Sequence, residues 1–340
     1  MSSDILVVQI FTVTGGHTVH MRELELIGAA DRLVRDVIGV TRQDRVLVIT
    51  DTDTLTVGKV FALSCRAVGA ETVTSILPLT GEHGQEPPAI IAAAMKAADV
   101  VFGTTTHAIT HTQARLDAFA AGARFISLRG VTEDMMITGA MTVDFENLKA
   151  VTERVAAQLT AAHQVSVHSS AGTDVTFSIS GRQAFVLDGY FHDDYGFATL
   201  PPGEAPTSPV EGTVNGVIVF DYSMDSIGRL SEPLRLTVER GNVASIEGGS
   251  REVTFIEGLF EKDPSARNIA EFAIGTNPRA RLIGNLGEDK KLAGTVHFAI
   301  GDNKSLGGTV ESTIHLDGLL LKPSVYLDGE LVVDRGIILP

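Results

Sequence analysis

The sequence predicts an α/β N-terminal doubly wound domain joined to a β-rich C-terminal metal-binding domain, and three observations predict it. From about residue 20 to 165, apolar runs of strand length alternate with helix-period segments, the pattern of βαβ units around a mostly parallel sheet. Beyond about residue 165, β-branched residues, short alternating runs and turn dipeptides dominate. Inside that second half, acids and histidines interrupt apolar runs where a half-buried strand would carry hydrophobic or ordinary surface residues. At 340 residues and 44% hydrophobic composition the chain can build two cores, and the expected division is an α/β domain with an N-terminal extension over 1–165 and a β-rich metal-site domain over 166–340.

In chain order, the run 5–11 (ILVVQIF) is far shorter than the roughly 20 residues a spanning helix needs. It lacks a basic segment before it and a small-residue cleavage site after it, so it reads as a strand rather than a leader. Strands are expected at 45–50, 72–77, 100–103 and 124–128, and helices at 21–38, 55–68, 88–97, 111–121 and 145–162. In the second half helical periodicity nearly disappears. Hairpin turns are signalled by Arg240-Gly241-Asn242 and by Asp328-Gly329, each between alternating runs.

A formal net charge of −15 leaves no broad basic face, which excludes a phosphate-tracking nucleic-acid binder and an anionic-membrane partner. A small molecule or short peptide is the expected substrate. The single cysteine, Cys65, allows no internal disulfide and no multi-cysteine zinc or iron–sulfur site, and points to a reducing, cytoplasmic compartment. No dinucleotide fingerprint, Walker loop or nucleophile elbow is present.

Two segments share one design. "AEFAIGTNP" places Glu271, and "VHFAIGDN" places His297, ahead of three apolar residues, a glycine and a turn containing asparagine. "IHLDG" then sets His315 and Asp317 two apart, on one face of a strand. Upstream, Glu204 lies in the Pro/Gly-rich "LPPGEAPTSP". A lone buried histidine or glutamate is commonly a satisfied core residue. Five such residues on four segments form an oxygen-and-nitrogen donor set for zinc, cobalt, manganese or iron(II), because buried charge needs compensation and a divalent cation supplies it. Spacing leaves open whether one ion or two bind.

With "GARFISL", "AGTDVTFSISGR", "LPPGEAPTSPVEGTVNG" and the segments above, the chain from about residue 20 onward resembles the M29 metalloaminopeptidases of the aminopeptidase T type. The resemblance implies metal ligation by Glu204, Glu271, His297, His315 and Asp317, one or two ions of zinc or cobalt, and a homodimer. It departs where that family has a tyrosine seven residues after the His297 position, since Lys304 stands there. A second branch of the superfamily, similar to the 2,5-dihydroxypyridine 5,6-dioxygenases, binds one iron(II) through a histidine at the Glu271 position together with the His-x-Asp pair. It also carries a loop histidine at the place of His111.

The expected function is therefore a metal-dependent hydrolase of the aminopeptidase type, cleaving an amide or N-terminal peptide bond with a metal-activated water. Glu204 would pivot in its loop as general base, and His111 would face the substrate from the loop after the third strand. The alternatives are a mononuclear non-haem iron(II) ring-cleaving dioxygenase, with His111 as substrate base, and a non-catalytic metal-stabilised protein.

Overall fold

The computed structural model describes residues 21–78, 84–110, 112–192 and 196–340. The expected strand at 5–11 and the histidine His111 lie outside them. The chain opens with α1 (Met21–Arg32), which widens into a π-helical turn at Leu33–Val37 where one continuous helix was expected. There follow β1 (Arg45–Asp51), α2 (Leu55–Val68), β2 (Glu71–Leu77), α3 (Ala89–Ala97), β3 (Val100–Thr104), α4 (Gln113–Ala120), β4 (Arg124–Ser127), α5 (Glu133–Ile137) and α6 (Phe145–Ala161). Next come β5 (Gln164–His168), β6 (Asp174–Ser178) and β7 (Phe197–Thr199). The sheet β2-β1-β3-β4-β7 is parallel throughout. Leu47, Ile49, Val101 and Phe125 pack under α3 and α4 on one side; Val46, Val48, Phe102 and Ile126 pack under α1, α2 and α6 on the other. This is the doubly wound domain that the alternating runs predict. Cys65 sits in that core, where burial pushes its thiol up to about 12.

The remaining elements are β8 (Glu204–Thr207), β9 (Asn215–Phe220), β10 (Ser223–Met224), β11 (Gly228–Arg229), β12 (Leu234–Glu239), β13 (Asn242–Glu247), α7 (Ser250–Lys262), β14 (Ile269–Gly275), α8 (Leu286–Asp289), β15 (Val296–Gly301), β16 (His315–Leu320), β17 (Ser324–Leu327), β18 (Glu330–Asp334) and β19 (Ile337–Ile338). They build two stacked sheets, β11-β10-β16-β15-β14-β8 and β13-β12-β9-β6-β5-β17-β18-β19. Both anticipated hairpins form. Arg240 and Gly241, then Asp328 and Gly329, take positive φ in succession, as tight hairpin turns require. The expectation of a nearly helix-free second half is corrected by α7, whose Val253, Ile256 and Phe260 recur at helical spacing and pack on the sheets.

The two sheets close on one apolar layer. Phe177 of β6 meets Phe272 of β14 and Phe298 of β15 at ring centroid distances of 5.1 and 5.6 Å, and the last two rings lie 5.3 Å apart. Helix α6 belongs to both halves. Phe145 and Leu148 join the core of the parallel domain, whereas Val155, Ala156 and Leu159 join the core between the two sheets. No described helix is long and apolar enough to cross a membrane.

The connection 302–314 is fixed by Glu211. Its carboxylate accepts from Thr309 N at 2.7 Å and Asn303 Nδ2 at 3.0 Å and pairs with Arg182, which also donates to Gly307 O. Burial works against its charge, but these donors hold it at about 2, against an ordinary 4.5. A depressed carboxylate adds stability that is complete above pH 4.5 and disappears as the pH falls toward 2. Thermal unfolding followed across that range should show wild type and Glu211→Gln well separated above pH 4.5 and converging below it. Gly318 is needed for a different reason: a Cβ there would lie 2.3 Å from the Phe220 ring, between the stacked sheets. Gly318→Ala should cost about 1–3 kcal/mol through overpacking, read as a lowered Tm.

Candidate metal centre and active site

Strand alternation decides which side chains meet. In β14, Phe272 and Ile274 enter the core while Glu271 and Ala273 face the other way; in β15, Val296, Phe298 and Ile300 enter it while His297 and Ala299 face out. In β16, Leu316 and Leu320 point in while His315 and Asp317 share the outer face. Ala299 pairs with Glu271 on one side and Asp317 on the other. The two carboxylates therefore rise from strands about 9–10 Å apart and lean together over a methyl group. A bulge between Ile269 and Glu271 brings the glutamate into this row. At the row's end, Gly301 has φ +109° because a Cβ would strike Ile314 O at 2.1 Å.

Glu271, His315 and Asp317 bring one ligand atom each within 4.8 Å of one another. His315 Nδ1 lies 2.7 Å from the carbonyl of Asp302; since a carbonyl only accepts, Nδ1 carries the proton. Nε2 is then aimed at Glu271 Oε2 (2.9 Å) and Asp317 Oδ1 (3.4 Å), the arrangement by which a backbone carbonyl orients a metal-bound histidine. Asp317 Oδ1 is buried and, beyond the 3.4 Å contact with His315, meets no donor among the described residues. The donor set, the oriented imidazole and this unsatisfied oxygen fit a divalent cation.

Glu204 and His297 share the same face but are engaged differently. His297 Nε2 stands 3.2 Å from Glu271 Oε1 and 3.5 Å from Glu204 Oε2. Glu204 is the first residue of β8 and is 3% exposed, so the picture of a loop carboxylate pivoting as a general base is corrected. It is pinned by Lys291 at Oε1 and by Lys290 Nζ, which lies 3.4 Å from Oε2 and 2.8 Å from Asp317 Oδ2. Sequence reading missed both lysines; their signal was an adjacent pair in "EDKK" just before the His297 strand. It also missed Asp225, whose carboxylate takes Arg129 Nη2 at 2.8 Å and the amide of Asp317 at 3.3 Å.

Charge balance sets the protonation states. Burial and the adjacent Asp317 push Glu271 toward the neutral acid, but bonds from His297 and His315 keep it below the ordinary carboxylate value. Burial likewise opposes ionised Asp317, but the Lys290 ammonium together with His315 and His297 holds it well below the ordinary carboxylate value. His315, despite burial, is raised well above the ordinary imidazole value by Asp317 and Glu271. Lys291 is depressed by burial to about 8, whereas Asp317 and Glu204 raise Lys290 against the same burial.

The centre opens on a cavity of about 600 Å³. Its other wall comes from the carboxyl ends of the parallel strands: Thr110 beyond β3, Ser127 and Arg129 at the end of β4, Thr199 and Leu200 at the end of β7. Lys304 sits at the rim with its ammonium on Glu311. His315→Ala should abolish retention of a divalent ion on dialysis, while His297→Ala, which removes a hydrogen-bond partner of Glu271 and a neighbour of Glu204, should weaken affinity about 10–100-fold. Metal content measured after anaerobic purification checks both.

The family model for 2,5-dihydroxypyridine 5,6-dioxygenase (NicX) matches residues 34–340. A curated 2,5-dihydroxypyridine 5,6-dioxygenase from Pseudomonas putida KT2440 is 26% identical over 52% of this chain and 54% of its own length, so the match spans about half of that relative. Among solved structures, a 2,5-dihydroxypyridine dioxygenase from the same organism superposes with TM-score 0.78 at 20% identity, covering 93% of this chain and 97% of the other. Wild-type AmpT from Thermus thermophilus gives 0.66 at 15% identity, covering 94% and 100%. The fold is thus shared with both of these solved structures. The expectation of an aminopeptidase or amide hydrolase is overturned, because the family model and the curated relative both name a dioxygenase. Glu204, tied to two lysines, is also not free to act as that hydrolase's base. The chain belongs to the 2,5-dihydroxypyridine 5,6-dioxygenase family.

Proposed function

We propose that this protein is a mononuclear non-haem iron(II) dioxygenase that opens a hydroxylated nitrogen-heteroaromatic ring. The observation that carries the reading is the Glu271, His315 and Asp317 triad at the wall of a cavity of about 600 Å³, in a chain matched to the dioxygenase family over residues 34–340. Glu271, His315 and Asp317 would hold the ion, and iron(II), when bound, would bring ring and dioxygen together and pass electrons from the ring to oxygen. The donors here are two carboxylates and one imidazole, with Glu271 where the related dioxygenases carry a histidine.

The chain's own groups suit such a substrate. Phe185, Leu187, Phe197 and Leu200 offer apolar faces to a flat ring. Arg115 lies over the Phe197 ring at 5.8 Å, gives Nε to Thr110 O at 2.9 Å, and pairs with no carboxylate among the described residues. Its remaining donors are available to an ionised ring oxygen. Lys290, beside Asp317, holds positive charge next to the place where a ring hydroxyl would lose its proton. His111, adjacent in sequence to Thr110 on the cavity wall, is the proposed base for that proton. The cytoplasmic setting and the homodimer belong to the same proposal.

Oxygen uptake on 2,5-dihydroxypyridine by protein loaded anaerobically with iron(II) tests the reading. Stoichiometric oxygen consumption with loss of the ring's absorbance is expected, and Arg115→Met should raise KM about tenfold or more through the loss of one charge-assisted bond. Full iron loading without oxygen uptake on any hydroxylated pyridine would remove the proposal.

A further inference from the structure

Beside the triad lies a second cluster of donors whose centre is filled by the protein itself. Lys290 Nζ bridges Asp317 Oδ2 of β16 (2.8 Å) and Glu204 Oε2 of β8 (3.4 Å), and Lys291 Nζ rests on the other Glu204 oxygen. His297 Nε2 closes the group, 3.5 Å from Glu204 Oε2. Two carboxylates and an imidazole thus flank the ammonium groups, and these are the residue types of a divalent-cation donor set. Glu204 Oε2 is buried and accepts no hydrogen bond, so it is held by charge contacts alone.

Neither lysine is a mobile surface side chain. Their side chains are 13% and 3% exposed. Both follow directly on α8, which is fixed by Asp289, accepting from Ile283 N, Gly284 N and Ser223 Oγ, and by Glu288, accepting from Ala140 N and Arg281. The ammonium groups are thus delivered to the carboxylates by a rigid support.

We infer that Lys290 and Lys291 stand in for a second divalent cation, and that neutralising them turns Glu204, His297 and Asp317 into a second metal site. The inference depends on the triad being a metal centre but not on the oxygenase chemistry. Like charge in a buried space is the physical cause: a divalent ion cannot settle beside Glu204 while an ammonium already occupies the point between it and Asp317.

Cobalt(II) is the probe, followed by its visible ligand-field spectrum and by metal content after equilibrium dialysis. Wild type should bind one ion per chain, and Lys290→Met/Lys291→Met, which keeps the apolar stems, should bind two. The double variant without metal should be less stable than wild type and gain more in Tm on cobalt addition. Wild type binding two ions overturns the inference whether or not the variant folds, as does a variant with wild-type far-ultraviolet dichroism that binds only one. Should the double variant not fold, Lys290→Met alone is expected to show a weaker second site, and its staying at one ion counts against the inference. Wild type binding no cobalt would overturn the metal centre itself, whereas a failed oxygen-uptake assay leaves the ion count standing.

Discussion

Ionised carboxylates crowded inside a protein are stable only when positive charge sits among them, and that constraint organises this molecule. Glu204, Glu271 and Asp317 are each under 7% exposed and converge from three strands of one sheet. Everything around them answers the charge: His315 and His297 on neighbouring positions, Lys290 and Lys291 from α8's end, Arg129 through Asp225. The opposite face of the same sheet carries Phe272 and Phe298, packed on Phe177 of the facing sheet, so the acids cannot relieve their crowding by turning over. A one-residue slip in β14 or β16 would exchange Phe272 or Leu316 with an acid or a histidine, and the core therefore fixes the register on which the site depends.

Much of this was legible along the chain. The positions of Glu271, His297, His315 and Asp317 on a shared face follow from period-two alternation, which is a local property, and the repeated segment design marked two of them as equivalent strands. The parallel domain was legible for the same reason, since its strand and helix runs differ in period. Helix α7 was not read because Gly249 offers no side-chain cap and its polar residues obscure a short apolar stripe. The lysines were not read because their meaning is tertiary. Lys290 meets Asp317 across 27 residues of chain, and nothing in "EDKK" tells a solvated charge run from a buried pair of counter-ions.

The solved dioxygenase and AmpT both share the fold of this chain. With TM-scores of 0.78 and 0.66 to a dioxygenase and to AmpT, backbone likeness alone does not separate them. The individual groups of this chain that speak against a hydrolase are Glu204, locked by ammonium groups, and Lys304, drawn to Glu311 at the rim. The resemblance to aminopeptidase T rested on segments spread along the chain from about residue 20, and it is the family model that names the dioxygenase family.

Helix α6 gives its first turns to the core of the parallel domain and its last to the core between the antiparallel sheets. One rod thereby joins the strand ends on one side of the cavity to the sheet that presents the donors on the other. Side chains on the parallel-sheet wall, such as Thr110, Ser127 and Thr199, can therefore vary without touching the strand alternation that sets Glu271, His315 and Asp317.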